Sequence, residues 1–119
     1  MGNRILRIND EILRETANII RSEISDPRVG VLTTVVHVKT STDLKYCKIY
    51  VSIFGDEKEK EDALLALKNA SGYIRKLLAT RINLRNTPEL TFILDDSLDQ
   101  SEKIAKLLKE AQQENPNRG

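Results

Sequence analysis

Ala66-Leu67-Lys68-Asn69-Ala70-Ser71-Gly72-Tyr73-Ile74-Arg75-Lys76-Leu77-Leu78 is the stretch on which the fold turns. Apolar residues at Ala63, Leu64, Leu67, Ala70, Ile74, Leu77 and Leu78 keep helical spacing to about Ile82, so both ends of the stretch read as helix. Glycine inside a helix costs about 1 kcal/mol relative to alanine. Ala70-Ser71-Gly72 therefore predicts a bend or break, and the plainest role for Gly72 is packing between the two helix halves. A broken helix between two strands is a crossover, and a right-handed crossover makes the flanking strands parallel.

Those strands are legible on either side. From about Lys45 to Phe54, Cys47, Ile49, Val51 and Ile53 alternate with Tyr46, Lys48, Tyr50, Ser52 and Phe54. From Glu89 to Asp95, Leu90, Phe92 and Leu94 alternate in the same way. A preceding strand, about Leu32 to Lys39, places Leu32, Val36 and Val38 on the core face and Thr33, Val35, His37 and Lys39 on the other. The polar run Thr40-Ser41-Thr42-Asp43 joins the first two strands as a hairpin. One sheet face is left open, carrying Lys39, Lys48, Tyr46 and Tyr50.

Upstream, residues 4–24 read as one amphipathic helix. Its stripe is Leu6, Leu13, Ala17, Ile20 and Ile24, broadened by Ile5, Ile8, Ile12 and Ile19. Ser25-Asp26-Pro27 ends it, since proline disfavours helical geometry in the residue before it. Gly55-Asp56 stops the second strand and caps the next helix, with Glu57 and Glu59 in the first turn. Asp99 and Glu102 open a short last helix carrying Ile104, Leu107, Leu108 and Ala111. The predicted fold is α+β, in the order α-β-β-α-α-β with an additional short C-terminal helix. A three-stranded mixed sheet is covered on one face by helices. Residues 1–113 are expected to form a single domain and 114–119 a disordered tail.

Composition narrows the function. The chain has 119 residues, 39% hydrophobic and 31% charged, which excludes both a membrane protein and a wholly disordered one. No apolar run at the N-terminus suits a signal peptide or anchor, and a cytoplasmic location is expected. One cysteine and one histidine cannot build a zinc site, and no cofactor or metal is expected. A Cys47–His37 dyad needs both side chains on one sheet face, whereas the alternation puts them on opposite ones unless a bulge intervenes. Asp95-Asp96 reads as a strand-ending turn rather than a carboxylate site. Neither a GxxxxGK[ST] nor a GxGxxG phosphate loop occurs, so no catalytic residue is assigned.

Charge is the remaining signal. The total of 19 Lys and Arg against 18 Asp and Glu looks neutral. Yet Arg75, Lys76, Arg81 and Arg85 occupy residues 71–88, a segment without one acidic side chain. That segment is a solvated helix face or a phosphate-contacting edge, and Lys45, Lys48, Arg28 and Arg4 extend the edge if the fold gathers them. With 4% aromatics, recognition of RNA backbone and shape suits the chain better than base readout.

The arrangement resembles a type II KH domain and, more narrowly, the bacterial ribosome-binding factor A family. The resemblance covers roughly residues 4–96. It rests on Asp26-Pro27-Arg28, on Leu32-Thr33-Thr34-Val35 and on Asp43-Leu44-Lys45-Tyr46 with Lys48-Ile49-Tyr50-Val51. It rests above all on Ala70-Ser71-Gly72 followed by Ile74-Arg75-Lys76-Leu77-Leu78, with Pro88-Glu89-Leu90-Thr91-Phe92 closing the set. Ordinary KH domains clamp a backbone with a GxxG loop; this chain has none, and Ala70-Ser71-Gly72 stands at the bend instead. The resemblance implies a non-enzymatic 30S assembly factor that binds the free small subunit and 16S rRNA. It further implies a part in late maturation, including 16S rRNA 5′-end processing, support of growth in the cold, and release linked to a ribosome-associated GTPase. A monomer is expected. The alternative is a protein-interaction module using the open sheet face or the last helix.

Overall fold

A computed structural model describes residues 2–24 and 33–95. Within them the order is α1 (Gly2–Glu23), β1 (Thr33–Thr40), β2 (Tyr46–Ile53), α2 (Glu57–Asn69), α3 (Ser71–Arg81) and β3 (Glu89–Leu94). The expected C-terminal helix and tail, and the Asp26-Pro27-Arg28 and Leu32 positions, lie outside the described residues.

β2 is the central strand, antiparallel to β1 and parallel to β3. The mixed sheet follows the expectation from the broken helix. Cys47, Ile49, Val51 and Ile53 of β2 are all buried, and Leu90 and Phe92 continue the apolar face on β3. Fully burying one such aliphatic side chain contributes about 1.5–3 kcal/mol, so this face anchors the fold.

Two details of the core differ from the sequence reading. In β1, Val35 pairs with Val51 but His37 pairs with Tyr50, so one extra residue is accommodated at Val36. Such a bulge shifts the side-chain parity. Val35 before it and Val38 after it both face the core, whereas strict alternation puts Val35 on the open side. In α1, the fully buried line is Ile8, Ile12, Thr16 and Ile19 with Ile20, while Leu6 is 65% exposed. The stripe is thus centred on residues that read as its flanks. Packing chooses between two isoleucine-rich faces that periodicity alone ranks the other way.

α1 is tied to the sheet by a half-buried polar contact. The Asn9 carboxamide oxygen accepts from the Thr40 backbone N–H at 3.0 Å and from its hydroxyl at 2.6 Å. Thr40 is buried, so leaving those donors unpaired would cost about 1–3 kcal/mol.

Asp56 caps α2 as expected. Its carboxylate accepts from the Glu59 N–H at 2.8 Å, and the Glu59 carboxylate accepts from the Asp56 N–H at 3.0 Å, a complete capping box. The helix breaks at Ala70, which ends α2 and opens α3. Leu67 before the break and Ile74 and Leu78 after it are buried in one core, so the break keeps both halves on the sheet.

Candidate nucleic-acid interface

Four segments meet beside the start of β3. α1 brings Arg4, the β1–β2 loop brings Lys45, α3 brings Arg75 and the α3–β3 connector brings Arg85. They line an open cleft of about 560 Å³. Asp43 and Glu89 are its two carboxylates, leaving cations in excess.

Each wall is held from behind. The Ser41 hydroxyl donates to Asp43 at 2.7 Å and the Lys45 N–H donates to the same carboxylate oxygen at 3.0 Å. The Ser41 contact, then the Lys45 N–H, hold the Asp43 carboxyl below its usual value. The Leu44 N–H donates to the Ser41 carbonyl at 2.9 Å, closing the loop with Leu44 at φ 62°. A left-handed leucine is uncommon and costs roughly 1–2 kcal/mol. The Glu89 N–H donates to the Lys45 carbonyl at 2.9 Å, so the loop and β3 share one backbone frame. On the opposite wall, Arg75 donates from Nε at 3.2 Å and from Nη2 at 2.8 Å to the Thr87 carbonyl. That fork pins the connector bearing Asn83, Arg85 and Asn86, while buried Pro88 delivers the chain into β3.

The cations singled out in the sequence therefore separate. Arg75, Arg85, Lys45 and Arg4 gather in the cleft. Lys48 stands on the open sheet face opposite Lys39. Lys76 is exposed on α3, outside the cleft. Arg81 turns to α1, with Nη1 3.5 Å from Glu15, in a separate hollow with Glu11 and Arg14. Arg28 lies outside the described residues. The acid-free segment is continuous in sequence but divided in space.

A model of the family described as Ribosome-binding factor A matches residues 4–108. The chain belongs to the ribosome-binding factor A family. Its relatives include Ribosome-binding factor A of Lachnospira eligens, 54% identical over 104 residues, covering 87% of this chain and 80% of the relative. The Agathobacter rectalis protein of that name is 50% identical over 105 residues, covering 88% and 87%. The crystal structure of ribosome-binding factor A from Thermus thermophilus superposes with a TM-score of 0.67 at 31% identity, covering 76% of this chain and 93% of that one. A homology model of Thermus thermophilus ribosome-binding factor A, as fitted into the cryo-EM map of a 30S complex with that factor, gives a TM-score of 0.61 at 31% identity, covering 74% and 91%. The α+β fold and its helix–strand order are those of the family.

The helix-bend motif takes a definite form. Ala70 is the junction residue, with φ −90° and ψ 0°, and the Ser71 hydroxyl donates to the Lys68 carbonyl at 2.8 Å. Gly72 is exposed, and a Cβ built there meets nothing within 4 Å. Packing inside the described chain does not require glycine at that position, which corrects the expectation of a packing bend.

The two residues considered for nucleophilic chemistry are apart. Cys47 is buried, and burial pushes its thiol up. His37 is exposed beside Tyr50 on the far face. A bulge does intervene, but it precedes His37 and leaves the two faces separate. Among the described residues no three His, Cys, Asp or Glu side chains gather as a metal site, and no helix is long and apolar enough to cross a membrane.

What sequence reading missed are the polar fasteners. Asn9, Thr87 and the Asn83–Asn86 connector carry no periodic signal, although an asparagine-bearing, proline-ended connector is a cue for a structured loop.

Proposed function

We propose that this chain is a non-catalytic assembly factor of the small ribosomal subunit. In this reading it binds the free 30S particle through 16S rRNA and promotes late maturation, including processing of the 16S rRNA 5′ end, which supports growth in the cold. It acts as a cytoplasmic monomer, and its release is linked to a ribosome-associated GTPase. The observation that carries the reading is the cleft, where cations from four separate segments converge on one concave surface.

The mechanism follows from that geometry. Phosphate contacts position a protein on nucleic acid without reading sequence. Cations fixed on a helix, a strained loop and a pinned connector hold one spacing, so they select rRNA whose phosphates are already folded to match. Arg75 is a positioning residue here: two of its donors are committed to Thr87, which sets where Arg85 stands. Lys76, Arg81, Lys48 and Arg28 belong to the wider basic set, and the family kinship to a protein seen in a 30S complex supports the choice of partner.

Co-sedimentation with 30S, 50S and 70S particles at two salt concentrations tests the proposal. Binding to 30S alone is expected. With Arg4, Lys45 and Arg85 of the cleft each neutralising a phosphate, affinity falls roughly fortyfold between about 50 and 200 mM salt. The variant Arg4→Gln/Lys45→Gln/Arg85→Gln should lose most 30S binding with an unchanged circular dichroism spectrum. Full retention of binding by that variant sinks the cleft assignment.

A further inference from the structure

The open sheet face concentrates a scarce resource. The chain has only three tyrosines and one histidine, and Tyr46, Tyr50 and His37 all stand on this one face. His37 and Tyr50 are directly opposite across β1 and β2, their ring centroids 5.4 Å apart and tilted by 41°. The next row on the same face is Lys39 opposite Lys48, with Thr91 completing it on β3. The row after that is Tyr46, 57% exposed, opposite Glu89 on β3, which is the one carboxylate of the three rows.

The lysine row is costly as it stands. Like charges directly opposite on a sheet repel. Neither ammonium has an ion-pair partner among the described residues, and no carboxylate stands in the His37–Tyr50–Ile93 or Lys39–Lys48–Thr91 rows. The bulge at Val36 is what brings His37 level with Tyr50 rather than out of register.

Along β2 the open side thus reads aromatic, cationic, aromatic at Tyr46, Lys48 and Tyr50, with same-face neighbours about 6.6 Å apart. We infer that this face binds a short unpaired RNA segment. One base stacks on Tyr46, a second base two nucleotides along stacks on the Tyr50–His37 pair, and the phosphates between them pass the Lys39–Lys48 row. Stacking platforms combined with lysines suit single strands of any sequence. A protein partner fits less well, because lysine is depleted from protein interface cores, and the one aliphatic of the two rows, Ile93, is itself half-buried. Tyr46 also lines the cleft, so the two surfaces are continuous. The inference rests on the rRNA-binding reading and extends it: structured RNA in the cleft, an adjoining unpaired strand across the sheet.

The test uses the full chain, a fluorescent eight-nucleotide uridine RNA measured by anisotropy, and 30S co-sedimentation in parallel. Tyr46→Thr/Tyr50→Thr, which keeps strand-forming residues, should weaken the oligonucleotide tenfold or more. Tyr46→Phe/Tyr50→Phe should bind within about twofold of wild type, since the ring is retained. The cleft variant Arg4→Gln/Lys45→Gln/Arg85→Gln should lose 30S binding yet keep most oligonucleotide affinity. Wild type that pellets with 30S but ignores the oligonucleotide overturns this inference and leaves the proposed function standing. Threonine variants that bind the oligonucleotide like wild type overturn it as well, as does loss confined to Lys39→Thr/Lys48→Thr, which marks mere charge attraction. Concentration-dependent dimers abolished by the lysine variant identify a second copy as the occupant and also overturn it. Wild type that binds neither RNA nor 30S sinks the proposed function itself.

Discussion

α2 and α3 are two halves of one interrupted helix, and they are built on opposite terms. α2 opens on a complete capping box at Asp56, with Glu57 and Glu59 in its first turn. α3 opens on Ala70 with no side-chain cap and no acidic first-turn residue, and its charged side chains are all cationic. Both bury apolar residues in the same core. The break leaves packing intact and changes the surface: one half is finished for stability, the other is left electropositive beside the connector that carries the cleft.

The largest effects test what the halves share. Leu67→Ala in α2 and Ile74→Ala in α3 each remove a fully buried side chain, so each should cost about 2–5 kcal/mol in urea denaturation. A native domain holds only about 5–15 kcal/mol in total, so both variants should unfold at clearly lower urea. A cost below about 1 kcal/mol for either one would show that its half is not part of the common core.

The next effect tests where they differ. Asp56→Ala removes the side-chain arm of the capping box and should cost about 1 kcal/mol. The converse repair should fail. Ala70 has helical rather than extended backbone angles, and a capping side chain needs the extended geometry. Ala70→Ser should therefore bring no gain in stability. Thermal melts of the two variants side by side decide it, and a clear gain from serine would break the contrast.

This contrast also shows what a sequence can disclose. The Asp56 cap, the break at Ala70 and the alternation in β2 and β3 depend on neighbours within a few residues, and all are legible. The Val36 bulge is not, because Val35 and Val36 are both apolar and either parity fits. The true buried line of α1 is hidden by isoleucines on two adjacent faces, Ile5 and Ile24 among them. The cleft is half legible: its cations stand out as a run free of acid, but their sorting depends on contacts 12 and 66 residues apart in the chain, Arg75 to Thr87 and Arg81 to Glu15. Nothing local encodes those.

Gly72 sharpens the comparison at a smaller scale. It is exposed and helical, and an added Cβ meets no atom within 4 Å. Gly72→Ala should then stabilise the chain by roughly 0.5–1 kcal/mol through the lost freedom of the unfolded chain, read as a rise in melting temperature. A fall instead would mean that the glycine is needed for packing after all.

The smallest stability effect carries the finest distinction among the cations. Arg81 reaches Glu15 at 3.5 Å, with both side chains about one-third exposed, so the pair is a surface ion pair worth a few tenths of a kcal/mol to about 1. Salt should erase most of that, since exposed charges are screened within about 10 Å at 0.1 M. Arg81→Gln should accordingly shift the urea midpoint only slightly, and less at high salt. Its 30S binding should stay within about twofold of wild type, because its guanidinium faces α1 and lies outside the cleft. Arg85→Gln, four residues on and in the cleft wall, should weaken 30S binding severalfold or more. If the two variants lose binding equally, the acid-free segment acts as one diffuse field, and the division of its cations by the fold has no bearing on recognition.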